Sequence, residues 1–191
     1  IATDDVGTTV NVTGINVTEP TALVLTANKY DVTCNGNGDG AIKLNATGGT
    51  VMTGYVFKKG TGSYAAIDTF SNFTPGTYTF YVQDDNSCEE NISVTITEPA
   101  QLLLSISVNN SICNDGTASV TLSASGGTTP YTFDYYGSGT FGSTTNFLNQ
   151  SDTSGITSAV KDANGCTNTA ALLIQHTDAT PPVIVLKPTL P

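Results

Sequence analysis

Ile42-Lys43-Leu44-Asn45-Ala46-Thr47-Gly48-Gly49-Thr50 returns 78 residues later as Val120-Thr121-Leu122-Ser123-Ala124-Ser125-Gly126-Gly127-Thr128 (126 − 48 = 78). Two readings meet in this stretch. Apolar residues alternate with polar ones, so each copy presents one apolar face with the period of a β-strand. Gly-Gly-Thr closes each copy with a turn. A strand and its turn that recur at one spacing predict tandem β-modules.

Other landmarks hold the same frame. Thr18-Glu19-Pro20 recurs as Thr97-Glu98-Pro99, and Cys34 recurs as Cys113. Asp84-Asp85-Asn86-Ser87-Cys88 recurs as Asp162-Ala163-Asn164-Gly165-Cys166. The frame divides the chain into one repeat over 18–97 and another over 98–177. Residues 1–17 read as the C-terminal hairpin of a preceding repeat. Residues 178–191 read as a linker and the first strand of a following module. Short alternating runs surround the opening stretch: Leu23 and Leu25, Tyr55 and Phe57, Tyr78 with Phe80 and Val82, and Ile92 with Val94 and Ile96. Turn residues separate them at sandwich-like intervals. The expected fold class is all-β, as tandem Ig-like antiparallel sandwiches joined end to end.

Composition agrees. Of the 191 residues only 12% are charged, with 6 Lys and Arg against 16 Asp and Glu, for a net charge of −10. A nucleic-acid partner is excluded, because phosphate contacts need clustered cations. No apolar run has the length of a membrane-spanning helix, so no membrane insertion is expected in this segment.

The four cysteines fall as one pair per repeat. Repeat symmetry predicts Cys34 with Cys88 and Cys113 with Cys166, among three pairings that are formally possible. Each bond would clamp one end of its own module. A metal site is the rival reading, and it lacks any Cys-x-x-Cys. The Asp-rich turns admit two roles. Asp84, Asp85, Asp162 and Asn164 offer hard oxygens that suit calcium, with Asp39 and Asp115 as further donors. The same residues also make tight turns for conformational reasons alone. No other cofactor is indicated.

Tyr135, Tyr136 and Phe141 crowd a Gly-rich part of the second repeat. They read either as core and loop anchors or as a platform for sugar rings. No catalytic residue stands out. His176 is the single histidine, and it falls in the exit linker, which is a poor place for a triad base. Glu89 and Glu90 are adjacent on a strand and face opposite ways.

In combination these motifs resemble the SprB-type repeat. The matching pieces are Cys34-Asn35-Gly36 with Asp39-Gly40, Gly126-Gly127-Thr128 with Pro130-Tyr131, Gly76-Thr77-Tyr78, and Asp162 through Cys166. The resemblance implies tandem modules of large, secreted cell-surface adhesins of Bacteroidota, some of them gliding-motility filaments exported by type IX secretion machinery. Its implied partners are neighbouring repeats and an external surface or polysaccharide. Its implied location is the outer surface of a Gram-negative bacterium. It brings no catalytic residues. The alternatives are a carbohydrate-binding module and the stalk of a secreted multidomain enzyme.

Overall fold

The computed structural model describes residues 2–3, 5–7, 9–10, 14, 16, 18–109, 118–150 and 153–174. Every regular element among them is a strand. A short hairpin pairs β1 (Ala2–Thr3) with β2 (Thr9–Val10). The first repeat then supplies β3 (Val24–Tyr30), β4 (Gly40–Thr47), β5 (Val56–Lys59), β6 (Thr69–Phe73), β7 (Gly76–Gln83) and β8 (Glu89–Ile96). The second supplies β9 (Leu103–Asn109), β10 (Ala118–Ser125), β11 (Thr132–Asp134), β12 (Asn146–Gln150), β13 (Thr153–Lys161) and β14 (Thr167–Ile174).

The sheet orders repeat as the sequence does. β3-β4-β6 and β5-β7-β8 in the first copy correspond to β9-β10-β12 and β11-β13-β14 in the second. The alternating runs named above fall on β3, β4, β5, β7, β8 and β10. β6 and β12 carry no such run, because Thr69-Phe70-Ser71-Asn72-Phe73 and Asn146 to Gln150 carry few apolar residues. Both are outer strands of their sheets and need only one paired edge.

The period-two expectation holds in the opening stretch. Ile42 and Leu44 are buried on β4, and the alternate residues Lys43 and Asn45 are exposed. Val120 and Leu122 are buried on β10. In the second copy they join Leu102, Ala118, Phe133, Tyr135, Val160, Leu172 and Ile174 in one apolar cluster. That cluster draws on both sheets, which makes the copy a sandwich. In the first copy the corresponding buried residues include Leu25, Phe57, Phe80, Val82 and Val94.

Spatially the chain divides into two compact units. One comprises Ile1–Lys29, Ile42–Phe70 and Thr77–Thr95. The other comprises Tyr30–Ala41, Ser71–Gly76 and Ile96–Pro191. The β3–β4 loop, numbered within the first repeat, therefore belongs to the second unit.

The Gly-Gly turns need glycine for a steric reason. Gly48 and Gly126 have φ of +78° and +72°, and a Cβ on either would lie 1.9 Å from a carbonyl oxygen, that of Ala22 or Gln101. Gly126→Ala is expected to lower stability by about 2–4 kcal/mol in urea melts, from the clash added to left-handed strain. Gly139→Ala is the control. Gly139 has φ +83° with open space around it, so its substitution should cost only about 1 kcal/mol.

Candidate functional site

One polar clasp is built twice. In the first unit, Asp84 sits in the β7–β8 turn and is only 5% exposed. Its Oδ2 accepts the backbone N–H of Thr50 at 2.8 Å. Its Oδ1 accepts the N–H groups of Asn86 at 3.0 Å and Cys88 at 2.8 Å. In the second unit Asp162, also 5% exposed, accepts Thr128 N–H at 2.9 Å, Asn164 N–H at 2.9 Å and Cys166 N–H at 2.9 Å.

Around each aspartate the same secondary bonds recur. Gly49 N–H donates to Thr21 O at 2.8 Å, and Gly127 N–H to Ala100 O at 2.8 Å. Asn86 Nδ2 donates to Thr50 Oγ1 at 2.9 Å, and Asn164 Nδ2 to Thr128 Oγ1 at 3.2 Å. The Tyr55 hydroxyl donates to Gly48 O at 2.8 Å, and the Tyr131 hydroxyl to Gly126 O at 2.5 Å. Sequence reading treats these tyrosines only as strand residues. Their recurrence seven and five residues after the first Gly of each pair was the available signal.

The carboxylates offered as cation ligands are thus occupied by turn amides. Asp85 is held likewise, accepting Met52 N–H at 2.5 Å, Thr53 N–H at 3.0 Å and the Thr53 hydroxyl at 2.5 Å. These bonds, the Thr53 hydroxyl first, bring its pKa down to about 2. The Thr50 amide, then those of Cys88 and Asn86, lower Asp84 against the opposing effect of burial. Asp39 closes its own loop, accepting Thr33 N–H at 3.0 Å and the Thr33 hydroxyl. Among the described residues no three His, Cys, Asp or Glu side chains converge as a metal group. Asp115 and His176 lie outside the described residues.

The expected pairing of Cys34 with Cys88 is corrected. Cys34 is bonded to Cys166, with an S–S distance of 2.00 Å and Cα atoms 5.7 Å apart. Cys88 is a free, exposed thiol, and Cys113 lies outside the described residues. The reason is strand length. The loop bearing Cys34 leads into β4, whereas the Gly-Gly-Thr turn clasped beside Cys88 follows its other end. Eight strand residues separate the two by about 26 Å. A disulfide needs Cα atoms within about 7 Å.

The Cys34 loop is held within the second unit by more than sulfur. Thr97 N–H donates to Asp31 Oδ1 at 2.7 Å, and Val32 N–H donates to Thr97 O at 3.0 Å. Gly36 N–H donates to Glu98 Oε2 at 2.6 Å. Asn35 Nδ2 donates to Pro99 O at 3.1 Å, and Asn164 Nδ2 to Thr33 O at 2.9 Å. All of these residues are in the second unit. Thr97-Glu98-Pro99 is therefore a seat for the loop. The disulfide closes a separation of 132 residues, which on the chain-entropy account stabilises by about 5 kcal/mol.

The aromatic group divides. Tyr135 is 2% exposed and stacks on Phe147 at 4.4 Å. It is a core residue with no face left for a sugar, which corrects its reading as a glycan contact. Its hydroxyl has no hydrogen-bond partner among the described residues. Tyr136 is 62% exposed and meets Tyr135 edge-on at 4.7 Å. Phe141 has the Lys161 ammonium 4.4 Å over its ring.

The family model described as SprB repeat matches residues 26–58, within the first repeat. SprB repeats occur in surface proteins. No curated protein matches the chain. Among solved structures, the C-terminal 282-residue fragment of intimin, in complex with the translocated intimin receptor intimin-binding domain, is 16% identical with a TM-score of 0.43. The match covers 80% of this chain and 64% of that one. Three N-terminal domains of the outer capsid protein Hoc of bacteriophage RB49 are 14% identical with a TM-score of 0.41, over 80% of this chain and 59% of that one. The chain thus spans less than two thirds of either structure.

Asp162→Ala would strand three amides and is expected to lower stability by about 3 kcal/mol in denaturant melts. Asp84 and Asp85 titrate lower folded than unfolded, so their contribution is complete above the ordinary value of 3.8. At Asp85 it should disappear as pH falls from 3.8 through about 2. Melting midpoints in a Cys34→Ser background should show this decline undiminished, since the clasp does not need the disulfide.

Proposed function

We propose that this chain, which carries a SprB-type repeat, is a non-enzymatic stalk segment of a secreted surface protein that holds an adhesive tip away from the cell. The observation that supports the reading is the Cys34–Cys166 bond, which joins a loop numbered in one repeat to the clasp of the next. The bond gives a spacer under shear covalent closure across the numbered repeats. The strands carry the fold, the aspartate clasps hold the module ends, and the disulfide takes load that hydrogen bonds would release. An outer-surface location supplies the oxidising environment that such a bond needs. Gliding adhesion, with export through type IX machinery in a Gram-negative bacterium, is the specific setting proposed. Neighbouring repeats are the immediate partners, and a polysaccharide or other external surface is the distant one. Calcium has no part in the proposal.

A second reading keeps one observation in its favour. Tyr136 presents an aromatic ring to solvent at 62% exposure, and a glycan could stack there. Tyr136→Ala would abolish binding on a glycan array under that reading and change nothing under the stalk reading.

Single-molecule pulling from the two termini tests the stalk. The 132-residue separation should stay locked in the oxidised chain, and a reductant should add roughly 450 Å of released length. Equal lengths before and after reduction would sink the proposal. On intact cells, antibodies to residues 18–174 should label the outside without permeabilisation.

A further inference from the structure

The seat that holds the Cys34 loop exists a second time, uncovered. Its parts in the second unit are Thr97, Glu98, Pro99, Asn164 and Cys166, each bonded to the loop over Asp31–Gly36. Seventy-eight or seventy-nine residues earlier in the frame stand Thr18, Glu19, Pro20, Asn86 and Cys88, with the same five side-chain types. All five are exposed. Where the seat is occupied, Leu102 is buried and Pro99 and Cys166 are half-buried. Where it is open, Leu23 is only half-buried, while Pro20 and Cys88 are exposed. The clasp beneath Cys88 is already formed, because its amide is fixed to Asp84 Oδ1 at 2.8 Å, as that of Cys166 is fixed to Asp162 at 2.9 Å. The turn shape matches as well, with Ser87 at φ +66° where Gly165 has +85°. A serine held in the left-handed region is uncommon, so the turn is held to this shape even without glycine.

We propose that Cys88 and the Thr18-Glu19-Pro20 strip are the receiving site for the Cys-Asn loop of another SprB-type repeat, and that Cys88 forms with it the disulfide that Cys166 forms with Cys34. The incoming loop lays its backbone on Pro20 and Asn86 and gives one amide to Glu19. Its cysteine then reaches Cys88. Two thiols become one disulfide, and a small-molecule disulfide such as oxidised glutathione accepts the two electrons and two protons to leave two thiols. The site is specific because the polar contacts must form before the sulfurs meet. This raises the effective concentration of the correct thiol over a random one.

The proposal deepens the stalk reading but is tested apart from it, because it is read in disulfide identity and not in mechanical length. Two variants of the full chain are mixed in oxidised glutathione. Cys113→Ser leaves Cys88 as the single cysteine outside the Cys34–Cys166 bond. Cys88→Ser leaves Cys113, which stands in the frame where Cys34 does. Non-reducing peptide mapping should find a Cys88–Cys113 link between chains, in roughly tenfold or greater excess over Cys88–Cys88 dimers. The Cys34–Cys166 peptide should persist in both variants and so report that each is folded. Adding Glu19→Lys to the Cys88 partner should remove the excess while leaving that peptide intact. A statistical mixture of dimers, a Cys88 that stays reduced, a Cys34–Cys88 peptide in the wild-type chain, or an excess indifferent to Glu19→Lys would each overturn the proposal.

Discussion

Two buried carboxylates organise everything else. Asp84 and Asp162 each gather three backbone amides, one from the Gly-Gly-Thr turn and two from their own Asp-x-Asn-x-Cys turn. A carboxylate removed from water is costly unless its lone pairs are filled, and three charge-assisted bonds fill them. The bond to the Gly-Gly-Thr turn is the consequential one. That turn follows β4 or β10, whereas the aspartate follows β7 or β13, so the carboxylate ties one sheet of the sandwich to the other. Gly49 and Gly127 are glycine partly for this reason, since a Cβ there would lie 2.6 or 2.7 Å from the carboxylate oxygen.

The clasp also decides what the cysteines do. Cys88 and Cys166 each have their amide held by the aspartate and their carbonyl bonded to its N–H, at 3.1 and 3.0 Å. Their backbones are therefore fixed before any sulfur chemistry occurs. A thiol presented from a fixed turn, beside a strip of exposed backbone acceptors, suits a bond to a separate loop. Bonding within the same module would require crossing the length of β4. Thr-Glu-Pro fits the same scheme. Proline has no N–H to pair, but its carbonyl remains an acceptor, and Asn35 uses it.

The aromatic residues show how adjacent positions part ways. Tyr135 and Tyr136 are neighbours in the chain just past β11, yet one is buried and the other exposed. Tyr135 fills the core against Phe147, and burial raises its hydroxyl pKa, with Tyr136 nearby adding to the effect. In the first unit the matching region holds a polar cluster instead. Lys58 bridges to Glu89 at 3.1 Å and lies over the Tyr64 ring at 4.3 Å, and the Tyr64 hydroxyl donates to Glu89. Modules of one frame thus keep the clasp and vary the sheet surface.

Alternation at Ile42, Leu44, Val120 and Leu122, with Gly-Gly-Thr after each copy, was enough to determine strands, turns and the repeat frame. These are local properties, set by side-chain period and by backbone sterics over a few residues. β6 and β12 escaped because an outer strand does not need a full apolar face. The turn role of Asp84 and Asp162 was legible as one of two readings, whereas their tertiary partners, the amides of Thr50 and Thr128, were not. The pairing of the cysteines was not legible at all. A repeat symmetry that maps Cys34 onto Cys113 and Cys88 onto Cys166 is satisfied equally by bonds within a repeat and by bonds from one repeat to the next. The offset tells which residues are equivalent, not which end of a strand they occupy. Only the tertiary structure, by laying β4 between the Cys34 loop and the Cys88 turn, set the bond across the frame.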